Sequence, residues 1–444
     1  MNTPIFDFVK AYVQASPTRL HMPGHKGVNF LGAEVLDITE IHGMDSLYDG
    51  VGVIAQSEAN ASSLFGANTF YSTEGSSLCI RSMLYLVSQT AREKGEHPTI
   101  LATRNVHKSF LSGVALLDIA VTWLYPEVDN SYLSAPLTPS ALEEYLSTHP
   151  LPHALYITTP DYLGCMVDVR GLAQVCHQYG IYLLVDNAHG AYLKFLEESQ
   201  HPIDLGADLC CDSAHKTLAA LTGGAYLHIA HSAPKGWVSQ AKGAMALFGS
   251  TSPSFLILES LDLLNPYLEK GYREDLQALL PQVKTLKETL VKAGYTLIGD
   301  EPLKVTLATK SYGYTGQEVA EYLREGGVEC EFSDPDYVVL MLTPQLDVTD
   351  MEHLTSLLCN LSKRDPCLTT PPKQARPMKA MSVRGATLAP CETMLAKDSL
   401  GHILATATVS CPPAVPVLMC GEVIGEDAVQ AFAYYGIKTI SVVK

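Results

Sequence analysis

The sequence predicts an α/β domain with a mostly parallel central sheet, joined to a smaller α+β domain and a C-terminal module. Two observations carry this. Between about residues 60 and 230, short apolar or β-branched runs of strand length recur, and longer amphipathic stretches separate them. Strands are expected at 99–103, 121–124, 154–158, 181–186, 207–211 and 225–229, with helical segments at 142–147 and 172–178. A run at 65–71 leads into an apolar helix at 78–87. From 254 to 293 leucines fall at helical spacing, and Pro281 is expected to kink or restart that helix. Strands at 304–308 and 337–342 with a helix near 351–361 make the smaller domain. Four prolines between 365 and 377 mark an extended linker. The expected organisation is an N-terminal arm (1–40), a large domain (41–265), a small α+β domain (266–364), the linker (365–378) and the C-terminal module (379–444).

With 444 residues the chain suits two or three domains, and its hydrophobic content of 47% is that of a globular protein. A net charge of −17, with no run of Lys and Arg, argues against nucleic acid as a partner and is compatible with cationic small molecules. The 11 cysteines are scattered without a Cys-x-x-Cys pair, the usage of a reducing compartment, and no metal site is read from the sequence. Neither a secretory leader nor a run of about 20 apolar residues is present. The expected setting is the cytoplasm, away from membranes.

In an open α/β sheet, ligands bind beyond the carboxyl ends of the strands. Asp186 stands at such an end, and Lys216 follows the next strand within Ser-Ala-His-Lys (213–216). An amine able to form a Schiff base and a carboxylate able to pair with a protonated pyridine nitrogen are what pyridoxal phosphate requires. Ala188 is small enough to lie flat against a ring. His107, at the end of strand 99–103, can stack on one, although such a histidine is also commonly structural. His215 is placed where it could contact a phosphate, and Ser213 and Thr217 supply hydroxyls. Tyr-Ser-Thr-Glu-Gly-Ser-Ser (71–77) precedes a helix, so it reads either as a phosphate-binding start or as a plain N-cap cluster.

The chain resembles the pyridoxal-phosphate-dependent ornithine/lysine/arginine decarboxylases of aspartate-aminotransferase-like fold over nearly its whole length. The resemblance rests on Leu-His-Met-Pro-Gly-His-Lys-Gly (20–27), Asp-Ile-Thr-Glu (37–40) with Asp45, Arg-Asn-Val-His-Lys-Ser (104–109), Thr-Pro-Asp-Tyr-Leu-Gly (159–164), Asp-Asn-Ala-His-Gly (186–190), Ser-Ala-His-Lys (213–216) and Ser-Thr-Ser-Pro-Ser-Phe (250–255). Pro-Pro-Ala-Val-Pro (412–416), Gly421 and Glu422 resemble the family's C-terminal domain.

The resemblance implies a decarboxylase that turns arginine, lysine or ornithine into carbon dioxide and an amine for polyamine synthesis. Lys216 would hold the cofactor covalently, Asp186 would pair with its ring nitrogen, and Ala188 and His107 would sandwich the ring. Thr73, Glu74, Gly75, Ser76, Ser213 and His215 would surround the phosphate, with His107 and His215 also placed for proton transfer. Ser250 and Ser252 lie in the segment that reaches a partner subunit's cofactor, which implies at least a homodimer with shared sites. Glu40, Asp45 and Glu422 are the candidates for pairing with a cationic substrate side chain. The His-x-Pro-Gly-His-Lys motif begins near residue 21, as in the family's short form.

Departures from the pattern are Asn187 for Glu, Tyr192 for His, Asp212 for Gln, Glu74 for a small hydroxyl residue, Cys411 for Tyr and Ala414 for Gly. Two other readings stay open: an aminotransferase or lyase on the same scaffold, and a homologue that binds without turnover.

Overall fold

A computed structural model describes residues 1–126, 131–373, 376–407 and 414–444. The helices are α1 (Pro4–Ala15), α2 (Val53–Phe65), α3 (Gly75–Glu93), α4 (Lys108–Leu117), α5 (Pro139–Thr148), α6 (Val169–Gln178), α7 (Ala214–Thr217), α8 (Lys235–Phe248), α9 (Phe255–Glu269), α10 (Tyr272–Lys292), α11 (Gly316–Glu325), α12 (Val348–Asn360), α13 (Val383–Leu388) and α14 (Glu426–Tyr434). Strands β1 (Asn68–Ser72), β2 (Thr99–Thr103), β3 (Ala120–Leu124), β4 (Ala154–Thr158), β5 (Tyr182–Asp186), β6 (Leu209–Asp212) and β7 (Ala225–Ile229) form one sheet in the order β1-β7-β6-β5-β4-β2-β3. Its pairings are parallel from β3 through β6, and β7 runs antiparallel to both β6 and β1.

Both faces of this sheet are covered, which is why its strands read as apolar runs. Ala154, Tyr156 and Leu184 pack on one side with Leu78, Leu84, Phe110 and Val114 of α3 and α4. Leu155, Ile157, Leu183 and Val185 pack on the other with Leu142 of α5 and Leu172 and Cys176 of α6. The two-residue alternation of a strand assigns each side chain to its layer.

A second sheet, β10-β11-β9-β8, comprises β8 (Thr296–Ile298), β9 (Lys304–Ala308), β10 (Phe332–Ser333) and β11 (Tyr337–Met341). The third is β12 (Cys391–Leu395), β14 (Thr439–Val443) and β13 (Leu404–Thr406), all antiparallel. The described residues between 362 and 378 carry no helix or strand. Tyr434 of α14 donates to Asp336 Oδ1 at 2.8 Å, fastening the third sheet's layer to the second.

Of the two outcomes expected at Pro281, a kink or a restart, the restart does not occur. α10 continues through it, and the restart falls at Lys270–Gly271. Pro281 lacks the N–H that would bond the Gln277 carbonyl, and both residues lie on the exposed face of the helix. No helix among the described residues is long and apolar enough to cross a membrane.

Candidate active site

The carboxyl ends of β2, β4, β5 and β6, the start of α3, Glu331 and Ala414–Val415 enclose a cavity of about 400 Å³. That volume lies within the range of pockets for small ligands. Lys216 sits on α7, the single helical turn after β6, whose Thr217 carbonyl accepts from Tyr272 Oη at 3.1 Å. Its Nζ lies 2.9 Å from His189 Nε2. Asp186, at the last position of β5, is buried; its oxygens accept from the Ala188 N–H and the Tyr156 hydroxyl, each at 3.2 Å. Burial raises its pKa, and a charge on Lys216 would oppose that shift.

At the opposite side α3 begins. Gly75 adopts φ +67°, which an L side chain rarely takes, and its N–H reaches the Gly223 carbonyl at 2.8 Å. A Cβ on Gly223 would stand 2.8 Å from the Thr73 carbonyl, so a glycine is needed there for the backbones to meet. The next N–H groups, of Ser76 and Ser77, belong to the first turn of α3 and lack helical acceptors. Around them Ser213 Oγ donates to Ser76 Oγ at 3.0 Å and Ser109 Oγ to Ser77 Oγ at 2.6 Å. Free first-turn donors and clustered hydroxyls suit a phosphate.

Glu74 lines the rim, but its carboxylate turns aside to accept from the Ser250 N–H. This disposes of the charge conflict its place in the loop suggests. Thr73 is buried beside the loop and does not line the cavity.

His107 caps α4: its Nδ1 accepts from the Ser109 N–H at 3.2 Å, which puts the ring proton on Nε2. Burial, helped by the charges of Lys108 and Arg81, lowers its pKa to about 3, so the ring is neutral near neutral pH. His215 donates Nδ1–H to the Gly224 carbonyl at 3.0 Å, and burial lowers its pKa as well.

The three carboxylates expected to meet a substrate cation do not line this cavity. Glu422 is buried in a two-point pair with Arg104, at 2.6 and 3.0 Å, so its charge is already matched. Asp45 caps α2, accepting from Gly52 and Ile54 N–H groups at 2.9 Å. Glu40 is exposed and accepts from Thr39 Oγ1. Ser250 and Ser252 are exposed and stand outside the cavity of their own chain.

What sequence reading missed is Glu331, just before β10. It lines the cavity, and its Oε1 accepts from Tyr162 Oη at 2.7 Å. Also missed were the role of His189, although it lies inside the motif at 186–190, and that of Lys304, which opens β9 and is buried against His189 Nδ1 at 2.7 Å.

Two departures explain each other. Asn187 Nδ2 donates to Asp212 Oδ1 at 2.7 Å, so the amide and the acid have exchanged places. Asp212 Oδ2 also accepts from His201 and His228, each at 3.0 Å, and these partners hold its pKa low against burial. Tyr192 donates to Glu301. Ala414 holds φ +56°, the left-handed backbone that the family's glycine would adopt more easily. Cys411 and the Pro-Pro pair after it lie outside the described residues.

Residues 3–298 match the family model for the Orn/Lys/Arg decarboxylase major domain. An arginine decarboxylase of Halalkalibacterium halodurans is 30% identical over 96% of this chain and 91% of its own length. One of Bacillus subtilis is 28% identical over 96% and 92%. Among solved structures, the Francisella novicida lysine decarboxylase LdcF superposes with a TM-score of 0.80 at 16% identity, covering 100% of this chain and 81% of the other. The likeness to LdcF concerns the fold alone.

Proposed function

The chain belongs to the Orn/Lys/Arg decarboxylase family and is a decarboxylase of a basic amino acid, and from this premise we propose that arginine is its substrate and pyridoxal phosphate its cofactor. The observation that carries the reading is one cavity holding an amine, a buried carboxylate and free helix-start donors on three sides. These fit the cofactor's carbonyl, ring nitrogen and phosphate in turn. Lys216 would hold it covalently, Asp186 would pair with the ring nitrogen, and Ser76, Ser77 and Ser213 would take the phosphate. Ala188 and the neutral His107 would face the ring. When bound, the cofactor supplies an electron sink for the pair left behind as the carboxylate departs.

The chain's own residues do the rest. Glu331 presents a carboxylate whose Oε1 is fixed by Tyr162, and it can receive a guanidinium in the two-point geometry that arginine favours. Anchoring the far end of the substrate restricts how its α-carbon and carboxylate would be presented to the cofactor that Lys216 and Asp186 would hold. His107, neutral and capping α4, serves as a ring contact better than as an acid.

Purified protein supplied with cofactor and each basic amino acid in turn is expected to release carbon dioxide and agmatine from arginine. Cadaverine or putrescine as the main product would refute the arginine reading, and an oxo acid would point to transamination. Glu331→Gln is expected to raise KM for arginine by roughly one to two orders of magnitude while kcat changes less. An unchanged KM would remove Glu331 from substrate binding.

The reading extends to a cytoplasmic homodimer with shared sites, whose product feeds polyamine synthesis. Residues 17–51 expose Leu20, Phe30, Leu31 and Val51, each more than four-fifths accessible, a concentration of apolar surface that a second subunit would cover. The described cysteines are free thiols, as in a reducing compartment.

A further inference from the structure

His189 stands between two lysines, with Nε2 at 2.9 Å from Lys216 Nζ and Nδ1 at 2.7 Å from Lys304 Nζ. Burial, with the Lys304 cation adding to it, holds its pKa well below the usual histidine value, so the ring is neutral. A neutral imidazole has one N–H and one ring lone pair, so one lysine donates to it and the other accepts from it.

The contacts of Lys304 decide which. Its Nζ also faces the carbonyls of Asp161 at 3.0 Å and Tyr162 at 3.5 Å, which can only accept. With His189 Nδ1 they make three acceptors for the three N–H groups of an ammonium. Glu301, Asp161 and Glu331 around Lys304 favour its cation, and a charge on Lys216 would oppose it; burial brings its pKa down to about 8, leaving it charged near neutral pH. Lys304 therefore donates to Nδ1, and the ring proton sits on Nε2. That proton points at Lys216 Nζ, which can accept it only through the lone pair of an uncharged amine.

We propose that Lys304 is a positioning residue that fixes the tautomer of His189, so that the imidazole donates to Lys216 and keeps its amine uncharged and nucleophilic toward the cofactor. This rests on the reading of Lys216 as the cofactor lysine. It also gives β9 of the second sheet a direct hold on the cavity: Lys304 is buried and bonds His189 Nδ1 across 115 positions.

The test uses the full chain freed of cofactor, labelled with trinitrobenzenesulfonate over a range of pH, with modification of Lys216 read by peptide mass spectrometry. Lys304→Met and His189→Leu are each expected to move the midpoint of labelling up by about one pH unit. The double variant should move it no further, because Lys304 acts through the ring. An unchanged profile in Lys304→Met overturns the proposal, and so does a double variant with the sum of the two shifts, which would make Lys304 a mere nearby charge. Should Lys304→Met not fold, His189→Leu alone decides, an unchanged midpoint overturning the idea. The underlying reading is checked separately: Lys216→Ala that still shows the covalent cofactor band would refute the assignment of Lys216, whatever the labelling profiles are.

Discussion

Lys216→Ala is expected to lower decarboxylation by a factor on the order of 10⁴ or more and to abolish the visible band of the covalently held cofactor. The size follows from place and chemistry together. Lys216 lines the cavity, its amine 2.9 Å from His189 and within the field of Asp186. Its neighbours, and not its own side chain, hold the turn that carries it: the Lys216 N–H bonds the Ser213 carbonyl at 3.0 Å, the Leu218 N–H bonds Ala214 at 2.8 Å, and Thr217 is buried. An alanine there keeps every one of these bonds, so thermal unfolding should shift little while turnover collapses. Carbon dioxide release, the absorption spectrum and a melting curve on the same preparation make the check. A variant that keeps the band and loses less than about tenfold in rate would show that the cofactor is held elsewhere.

The strands of the large sheet could be read from the sequence because they are buried on both faces, and a doubly buried strand such as Ala154–Thr158 is apolar at nearly every position. The cavity's main residues were legible for a related reason: Asp186 ends such a strand and His107 and Lys216 each follow one closely, so locating the strand locates them. β1 was less visible, since an edge strand running Asn68–Ser72 is half polar. What could not be read were meetings between distant segments. Glu331 reaches Tyr162 across 169 positions, and Lys304 reaches His189 across 115. A glutamate before a short strand and a lysine at the start of another carry no local mark of a site. Glu422 misled in the opposite direction: a carboxylate near a family motif looks available until Arg104, 318 positions away, is found to occupy it.

That pair sets the largest expected effect on stability. Arg104 is 1% exposed, bonded to both oxygens of Glu422 at 2.6 and 3.0 Å, and its guanidinium lies 4.9 Å from the Tyr125 ring centroid. Glu422 Oε2 also accepts from the Met419 N–H at 2.8 Å, so the carboxylate organises its own turn as well as the cation. Glu422→Ala would leave a buried guanidinium without its counter-charge, and denaturant unfolding should show a loss of about 3–5 kcal/mol. A loss below about 1 kcal/mol, the scale of an exposed pair, would contradict the buried geometry. Because Arg104 lies three positions before His107, the pair also ties the β2–α4 loop to the C-terminal layer, so loosening it should disturb the cavity wall. The companion variant separates charge from packing. Arg104→Met with Glu422→Leu removes both charges and restores apolar volume, and it should recover most of the stability that Glu422→Ala loses, since two buried charges cost about as much to desolvate as their attraction returns. Recovery there would show that the danger at this site lies in one charge without the other.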